Sequence, residues 1–183
     1  MLKASIVRDT KELQEILRLQ QENLPHQIAV EEMKSQGFVT VQHDLEILEQ
    51  MHDLAPSIII KEGDHVVAYA LVMLKSYRHL VPVLQPMFAV LDSLEWKGRP
   101  LNDYEYYVMG QICIAKEYRG QGLFEKLYLQ HRQVYGSNYD FIITEVSFRN
   151  TRSMRAHEKA GFQTVHTYKD QTDHWAVLLW DWK

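Results

Sequence analysis

Ile112-Cys113-Ile114-Ala115-Lys116-Glu117-Tyr118-Arg119-Gly120-Gln121-Gly122-Leu123-Phe124 runs from an apolar strand through a glycine-bearing turn into an amphipathic helix. Glycines let the backbone approach a ligand closely and let successive amides point one way. The first turn of a helix adds unpaired N–H groups and a partial positive charge, so the corner suits a phosphate. Taken alone, it also fits a tight strand-to-helix connection with no ligand. It is not a P-loop, because no Gly-x-x-x-x-Gly-Lys-Ser/Thr is present. Nor is it the dinucleotide fingerprint, because Glu125 stands where the third glycine belongs.

Outward from this corner, residues 105–115 read as a strand and 122–135 as a helix with Phe124, Leu127, Tyr128 and Tyr135 on one side. Residues 141–146 form a buried-type strand. Residues 152–160 form a helix capped by Asn150 and stopped by Gly161. Strands over 163–169 and 174–182 follow. On the N-terminal side, 3–8 is a short strand, and Thr10 caps a helix carrying Leu13, Ile16, Leu17 and Leu24. A second helix covers 44–51. Residues 57–62 and 65–74 read as a hairpin turned at Gly63-Asp64. Residues 75–104 are irregular, with Pro82, Pro86, Pro100 and a helix over 87–94. The order predicts an α/β chain: a mixed sheet with helices on both faces, in a single domain over 1–183.

With 46% hydrophobic residues the 183-residue chain can bury a core, and its net charge of −4 argues against a general nucleic-acid binder. One cysteine, Cys113, excludes an internal disulfide. The nine histidines show no metal-ligand spacing, so no metal is expected. The first nine residues are too short and charged for a leader, and the longest apolar run, 66–74, is about half a membrane crossing. The expectation is a cytoplasmic protein without a membrane partner.

Two blocks together carry a resemblance. Arg119-Gly120-Gln121-Gly122-Leu123-Phe124 is similar to the Gln/Arg-x-x-Gly-x-Gly/Ala signature of the GCN-related N-acetyltransferases, the GNAT superfamily; Arg119 and Gly122 match and Phe124 departs. Asn150-Thr151-Arg152-Ser153-Met154-Arg155-Ala156-His157-Glu158-Lys159-Ala160-Gly161-Phe162 resembles that family's second block, with His157 at its tyrosine position. The strong resemblance spans residues 110–162. It implies a twisted, mostly antiparallel sheet that splays between its fourth and fifth strands, with acetyl-CoA in the gap. The backbone of Ile112, Cys113 and Ile114 would pair with the pantetheine arm. The amides of Arg119, Gly120, Gln121, Gly122, Leu123 and Phe124 would hold the pyrophosphate, with Asn150 and Ser153 also on the coenzyme. We place a β-bulge at Gly110, where the strands would part.

The implied reaction is direct transfer of acetyl from the thioester to a primary amine of a small molecule or a peptide. The resemblance implies Glu145, twelve residues before His157, as the candidate base; it also fits an ion pair with an arginine at a strand end. His157 is the candidate acid toward the leaving thiolate, or a hydrogen-bonded histidine lining the cavity. Cys113 belongs to the core rather than to an acyl-enzyme route. Segment 75–104, with Tyr77, Phe88, Trp96 and Tyr104, would form a lid over the acceptor or pack on a neighbouring subunit. Residues 116–159 hold eight basic against five acidic side chains, which suits polyanionic coenzyme A. Residues 1–60 hold ten acidic against five basic, which suits a cationic amine or an ordinary solvated surface. A non-catalytic acyl-CoA-binding or interaction domain is the alternative; the oligomeric state is open, a homodimer being one arrangement the resemblance suggests.

Overall fold

A computed structural model describes residues 2–28, 39 and 41–183. Seven strands form the main sheet: β1 (Ala4–Ile6), β2 (Ile58–Glu62), β3 (His65–Leu74), β6 (Tyr106–Ile114), β7 (Phe141–Ser147), β9 (His174–Asp181) and β8 (Gln163–Lys169), in that spatial order. Every neighbouring pair is antiparallel except β6 with β7. A two-residue ribbon, β4 (Glu95–Trp96) and β5 (Arg99–Pro100), stands apart from it.

Alternation along the strands divides the core in two. Ile59, Tyr69, Leu71, Ile143, Val177 and Leu179 face helices α1 (Thr10–Glu22), α2 (Leu45–Leu54) and α3 (Gln85–Asp92). Ile58, Ile60, Ala70, Ile142, Ala176 and Leu178 face α4 (Leu123–Tyr135), and Phe162 follows α5 (Thr151–Ala160) into that second cluster. Leu13, Ile16 and Leu19 of α1 are almost wholly buried, each contributing roughly 1.5–3 kcal/mol by leaving water. The mixed sheet covered on both faces is therefore as expected.

Several boundaries differ. The cap of α1 is Asp9, not Thr10: its carboxylate accepts Glu12 N–H at 2.9 Å, and Glu12 reaches back to Arg8 N–H at 2.7 Å. A carboxylate also complements the helix dipole, which a hydroxyl does not. The first strand is only three residues long, and α2 continues to Leu54 from its Asp44 cap.

Segment 75–104 is corrected more deeply. It holds three single-turn 3₁₀ helices, α3 and the ribbon, and Met87, Phe88, Leu91 and Leu101 are buried with Tyr106 and Phe141. Tyr104 and Tyr106 lie 5.2 and 5.4 Å from Phe141, and Lys97 pairs with Asp181 at 2.6 Å. These partners sit where β6 and β7 begin and β9 ends, the end at which the sheet is closed. None of its residues lines either cavity described below. The lid expectation is not met: the segment's buried residues Met87, Phe88, Leu91 and Leu101 belong to the core.

β6 and β7 pair only over Tyr106–Val108 with Phe141–Ile143 and then part. On β6, Gly110 and Gln111 together oppose Leu71 of β3. This bulge shifts the alternation: Tyr106 and Val108 face α1, but beyond the bulge Cys113 does, while Ile112 and Ile114 turn to α4. At the parting point the Thr144 hydroxyl donates to Met109 C=O at 3.0 Å. The splay and the bulge at Gly110 stand where they were expected.

Candidate active site in the splayed sheet

The corner after β6 is a 3₁₀ turn, Lys116–Tyr118, followed by Gly120 at φ 77° and Gly122 at φ 73°. Gly122 is the N-cap of α4, and no side chain caps that helix. The leading amides of α4 are therefore available to a ligand. They open onto a cavity of about 350 Å³ between β6, the turn and α5. Arg119, Arg152 and Lys159 add positive charge to its lining, and Glu125 pairs with Lys159 at 3.0 Å. Glycine-bordered amides, an uncapped helix and cationic rims fit a diphosphate.

Ala115 N–H is bound to Val67 C=O on β3 at 2.8 Å. Alternation therefore turns the backbone groups of Ile114 and Ile112 to the open edge. Arg119 Nε already occupies Ile114 C=O at 3.1 Å, and Nη2 binds Asn23 Oδ1 at 2.7 Å. The edge groups of Ile112 remain the natural partners for an extended amide-bearing ligand. Phe124 does not obstruct the turn. Its ring lies beneath it, 5.1 Å from Tyr128 and edge-on to His157 at 4.9 Å.

A smaller cavity of about 70 Å³ adjoins the first and shares Val39, Ile112, Asn150 and Ser153 with it. Glu145 and His157 both line it. Glu145 lies on β7 and accepts a hydrogen bond from the Tyr168 hydroxyl, a tyrosine where an arginine was one expectation. Burial drives its pKa up to about 7; the Tyr168 hydroxyl opposes that rise and the charge of Asp170 adds to it. Trp175 also lines this cavity, its indole N–H held by Asp170 at 3.1 Å.

His157 is 1% exposed, and burial takes its pKa down to about 4. Nδ1 is 2.8 Å from Ser153 C=O, so it carries the proton, and Nε2 accepts from the Tyr128 hydroxyl at 2.6 Å. Asn150 caps α5 by accepting Ser153 N–H at 3.2 Å. Burial pushes the Cys113 thiol up to about 12, far from the reactive thiolate.

Of the residues expected on the coenzyme, all but Gln121 line the larger cavity; the Gln121 side chain instead binds Glu117 C=O at 2.9 Å. Sequence reasoning missed Asn23, Arg152, Lys159, Tyr168 and Trp175. Arg152 and Lys159 lay inside the second block, and their charge was the available signal. Some acids of the N-terminal third are paired: Glu12 with Lys61, and Glu15 and Glu22 both with Arg18. Part of that charge count, on residues 29–38, lies outside the described residues. Among the described residues no group of three or more His, Cys, Asp or Glu is arranged to hold a metal ion, and no helix is long and apolar enough to cross a membrane.

A sequence model of the acetyltransferase (GNAT) family matches residues 13–162. The chain belongs to the GNAT acetyltransferase family. Solved structures of this fold superpose over nearly the whole chain. The ribosomal-protein-S18-alanine N-acetyltransferase of Escherichia coli has a TM-score of 0.63 at 14% identity, covering 99% of this chain and 94% of its own. The protein yncA of Salmonella typhimurium, solved with acetyl-CoA, has a TM-score of 0.65 at 13% identity, covering 100% and 95%. The NatC complex bound to Gag peptide and CoA contributes a chain with a TM-score of 0.64 at 10% identity, covering 98% of each. A search of the curated proteins finds no match. As a GNAT acetyltransferase, the chain has the family's seven-stranded, mostly antiparallel sheet.

Proposed function

We propose that this protein is an acetyl-CoA-dependent N-acetyltransferase acting directly on a primary amine of a small molecule or a peptide. The observation that carries the reading is a pair of adjoining cavities with four lining residues in common, an uncapped, glycine-bordered helix start in one and a carboxylate that ionises near neutrality in the other. Acetyl-CoA supplies an activated acetyl thioester, and the chain's own residues hold it and manage the proton. The open edge at Ile112 pairs with the pantetheine arm. The amides from Arg119 to Phe124 hold the pyrophosphate, Arg152 and Lys159 add charge, and Asn150 and Ser153 form the facing wall.

An alkyl amine with a pKa near 10 is only about 0.1% neutral at pH 7, a deficit of about 4 kcal/mol. Glu145 removes that proton, directly or through water. Its value near 7 leaves it half ionised at neutral pH, strong enough as a base and able to return the proton. Tyr168 fixes the rotamer. His157 is already committed at both nitrogens and holds no extra proton, so its part is to anchor Ser153 and α5 rather than to protonate the thiolate. A thiolate is a tolerable leaving group without such help. Two of the similar structures name a protein alanine or a peptide, which supports a peptide amino group among the acceptors.

The test is thiol release from acetyl-CoA across a panel of alkyl amines and short peptides with free N-termini, beside calorimetry with coenzyme A. Binding with amine-dependent release is expected. Binding without release from any amine would replace this reading by a non-catalytic acyl-CoA-binding domain, and absence of binding would remove both.

A further inference from the structure

Gln111, the second residue of the bulge, is buried on the α1 side of the sheet. Its Oε1 accepts from Gln20 Nε2 at 2.8 Å and from the Tyr69 hydroxyl at 2.5 Å; its Nε2 donates to Val41 C=O at 2.7 Å. Gln20, 1% exposed, completes the pattern. Its Oε1 accepts His43 N–H at 2.8 Å, and its second amide proton goes to His43 Nδ1 at 2.9 Å. Two side-chain amides thus satisfy the backbone of Val41 and His43, in the chain returning from α1 to α2. The described residues of that chain take no part in the sheet. Immediately before it, Val39 lines both cavities, and its N–H meets Asn23 C=O at 3.4 Å.

Two glutamines in a core are costly unless every group is paired, and apolar side chains of similar size would pack there without that demand. Burial as such therefore does not account for them. What they add is a fixed position for a stretch of backbone with no strand partner. We propose that Gln20 and Gln111 are positioning residues, an amide clasp that pins Val41 and His43 to the bulge and so sets the wall that Val39 gives to the donor and acceptor ends of the cleft. The consequence for coenzyme affinity rests on the functional reading above; the pinning itself does not.

Two variants of Gln111 test this. Gln111→Leu removes all three hydrogen bonds. Gln111→Glu is nearly isosteric: a protonated carboxyl can donate to Val41 C=O and accept from Gln20 and Tyr69, whereas a carboxylate can only accept. Hydrogen exchange over residues 39–44 is measured against wild type at the same pH, with coenzyme A affinity measured in parallel by calorimetry. For Gln111→Leu, exchange there should quicken about tenfold, the rest of the sheet staying as in wild type, and coenzyme affinity should fall about tenfold. For Gln111→Glu, both defects should be present at about pH 8.5 and largely disappear by about pH 5.5.

Of the groups facing this position, Tyr69, Cys113 and His43 stay in one state over that range and Glu145 does not. Tyr69 from β3 and Cys113 from β6 are held well above it by burial, and His43 lies at about 4 with Asp44 beside it. Glu145 from β7 lines the smaller cavity together with Gln111, so a carboxylate at 111 raises the pH at which Glu145 ionises, and the coenzyme comparison free of added charge is the one in Gln111→Leu. Unchanged exchange in Gln111→Leu would overturn the clasp. So would a Gln111→Glu defect of equal size at both pH values, which marks a merely structural site. Should Gln111→Leu not fold, the pH comparison in Gln111→Glu decides alone. If wild type ignores coenzyme A while exchange behaves as expected, the functional reading falls and the clasp stands.

Discussion

Glu145 is held by the fold in a state that costs stability. Its folded pKa of about 7 exceeds the ordinary carboxylate value, so the folded chain binds a proton more readily than the unfolded one. Stability is complete while the group is protonated in both states, and is lost as pH rises from the unfolded value through about 7. The cost above that is on the order of 3 kcal/mol. Glu145→Gln should therefore melt higher than wild type at pH 8 and alike at pH 4, while turnover falls about 10²–10⁴-fold. Calorimetric melts and steady-state rates check the two halves. In wild type kcat/KM should decline below about pH 7. Tyr168→Phe deletes an O–H that favours the carboxylate, so the acid limb should move to higher pH; an unmoved limb would show that Tyr168 does not set the base. Cys113→Ala should keep turnover, because the buried thiol is neither ionised nor needed.

Among the elements, the turn before α4 depends on backbone shape more than on side chains. An alanine at Gly122 would find open space for its Cβ but would be strained at φ 73°, at a cost of about 1–2 kcal/mol. The amides of α4 would be re-aimed, so Gly122→Ala should weaken coenzyme A by about tenfold while the unliganded melt drops only modestly. Gly161 ends α5 under a harsher constraint: at φ 105° its added Cβ would lie 2.9 Å from Trp180 Nε1. On α5 itself, His157→Ala would orphan the Tyr128 hydroxyl and open a cavity. Its larger effect should be on stability, about 2–4 kcal/mol in denaturant melts, and its loss of turnover should be smaller than that of Glu145→Gln.

Across the whole molecule, the sheet is zipped at one end and split at the other, and the two ends have separate tasks. Residues 85–103 pack on the zipped end. Phe88→Ala should cost about 3–5 kcal/mol in urea melts and leave the KM for both substrates unchanged, since Phe88 is buried in the same core cluster as Tyr106 and Phe141 and lines neither cavity. A changed acceptor KM would restore the lid. Much of this plan was legible in residues. The hairpin at Gly63-Asp64, the helix from Gly122 and the Asn150 cap are local devices, and their signals lie within a few positions of the structures they set. The ends of α1 and the first strand were less so, because Asp9 and Thr10 are both competent caps, and the choice fell to Glu12 reaching back.

From sequence alone came the strand–turn–helix corner and the family blocks, because each rests on short-range spacing and on the conformational freedom of glycine, while Glu145 and His157 came as residues of interest through the resemblance those blocks carry. Tertiary structure alone decided the rest. It brought Asn23, Tyr168 and Trp175, distant in sequence, to the cleft; it removed segment 75–104 from it. It also left His157 neutral and Glu145 near neutrality, since a pKa in a folded chain is set by desolvation and by partners that only folding supplies.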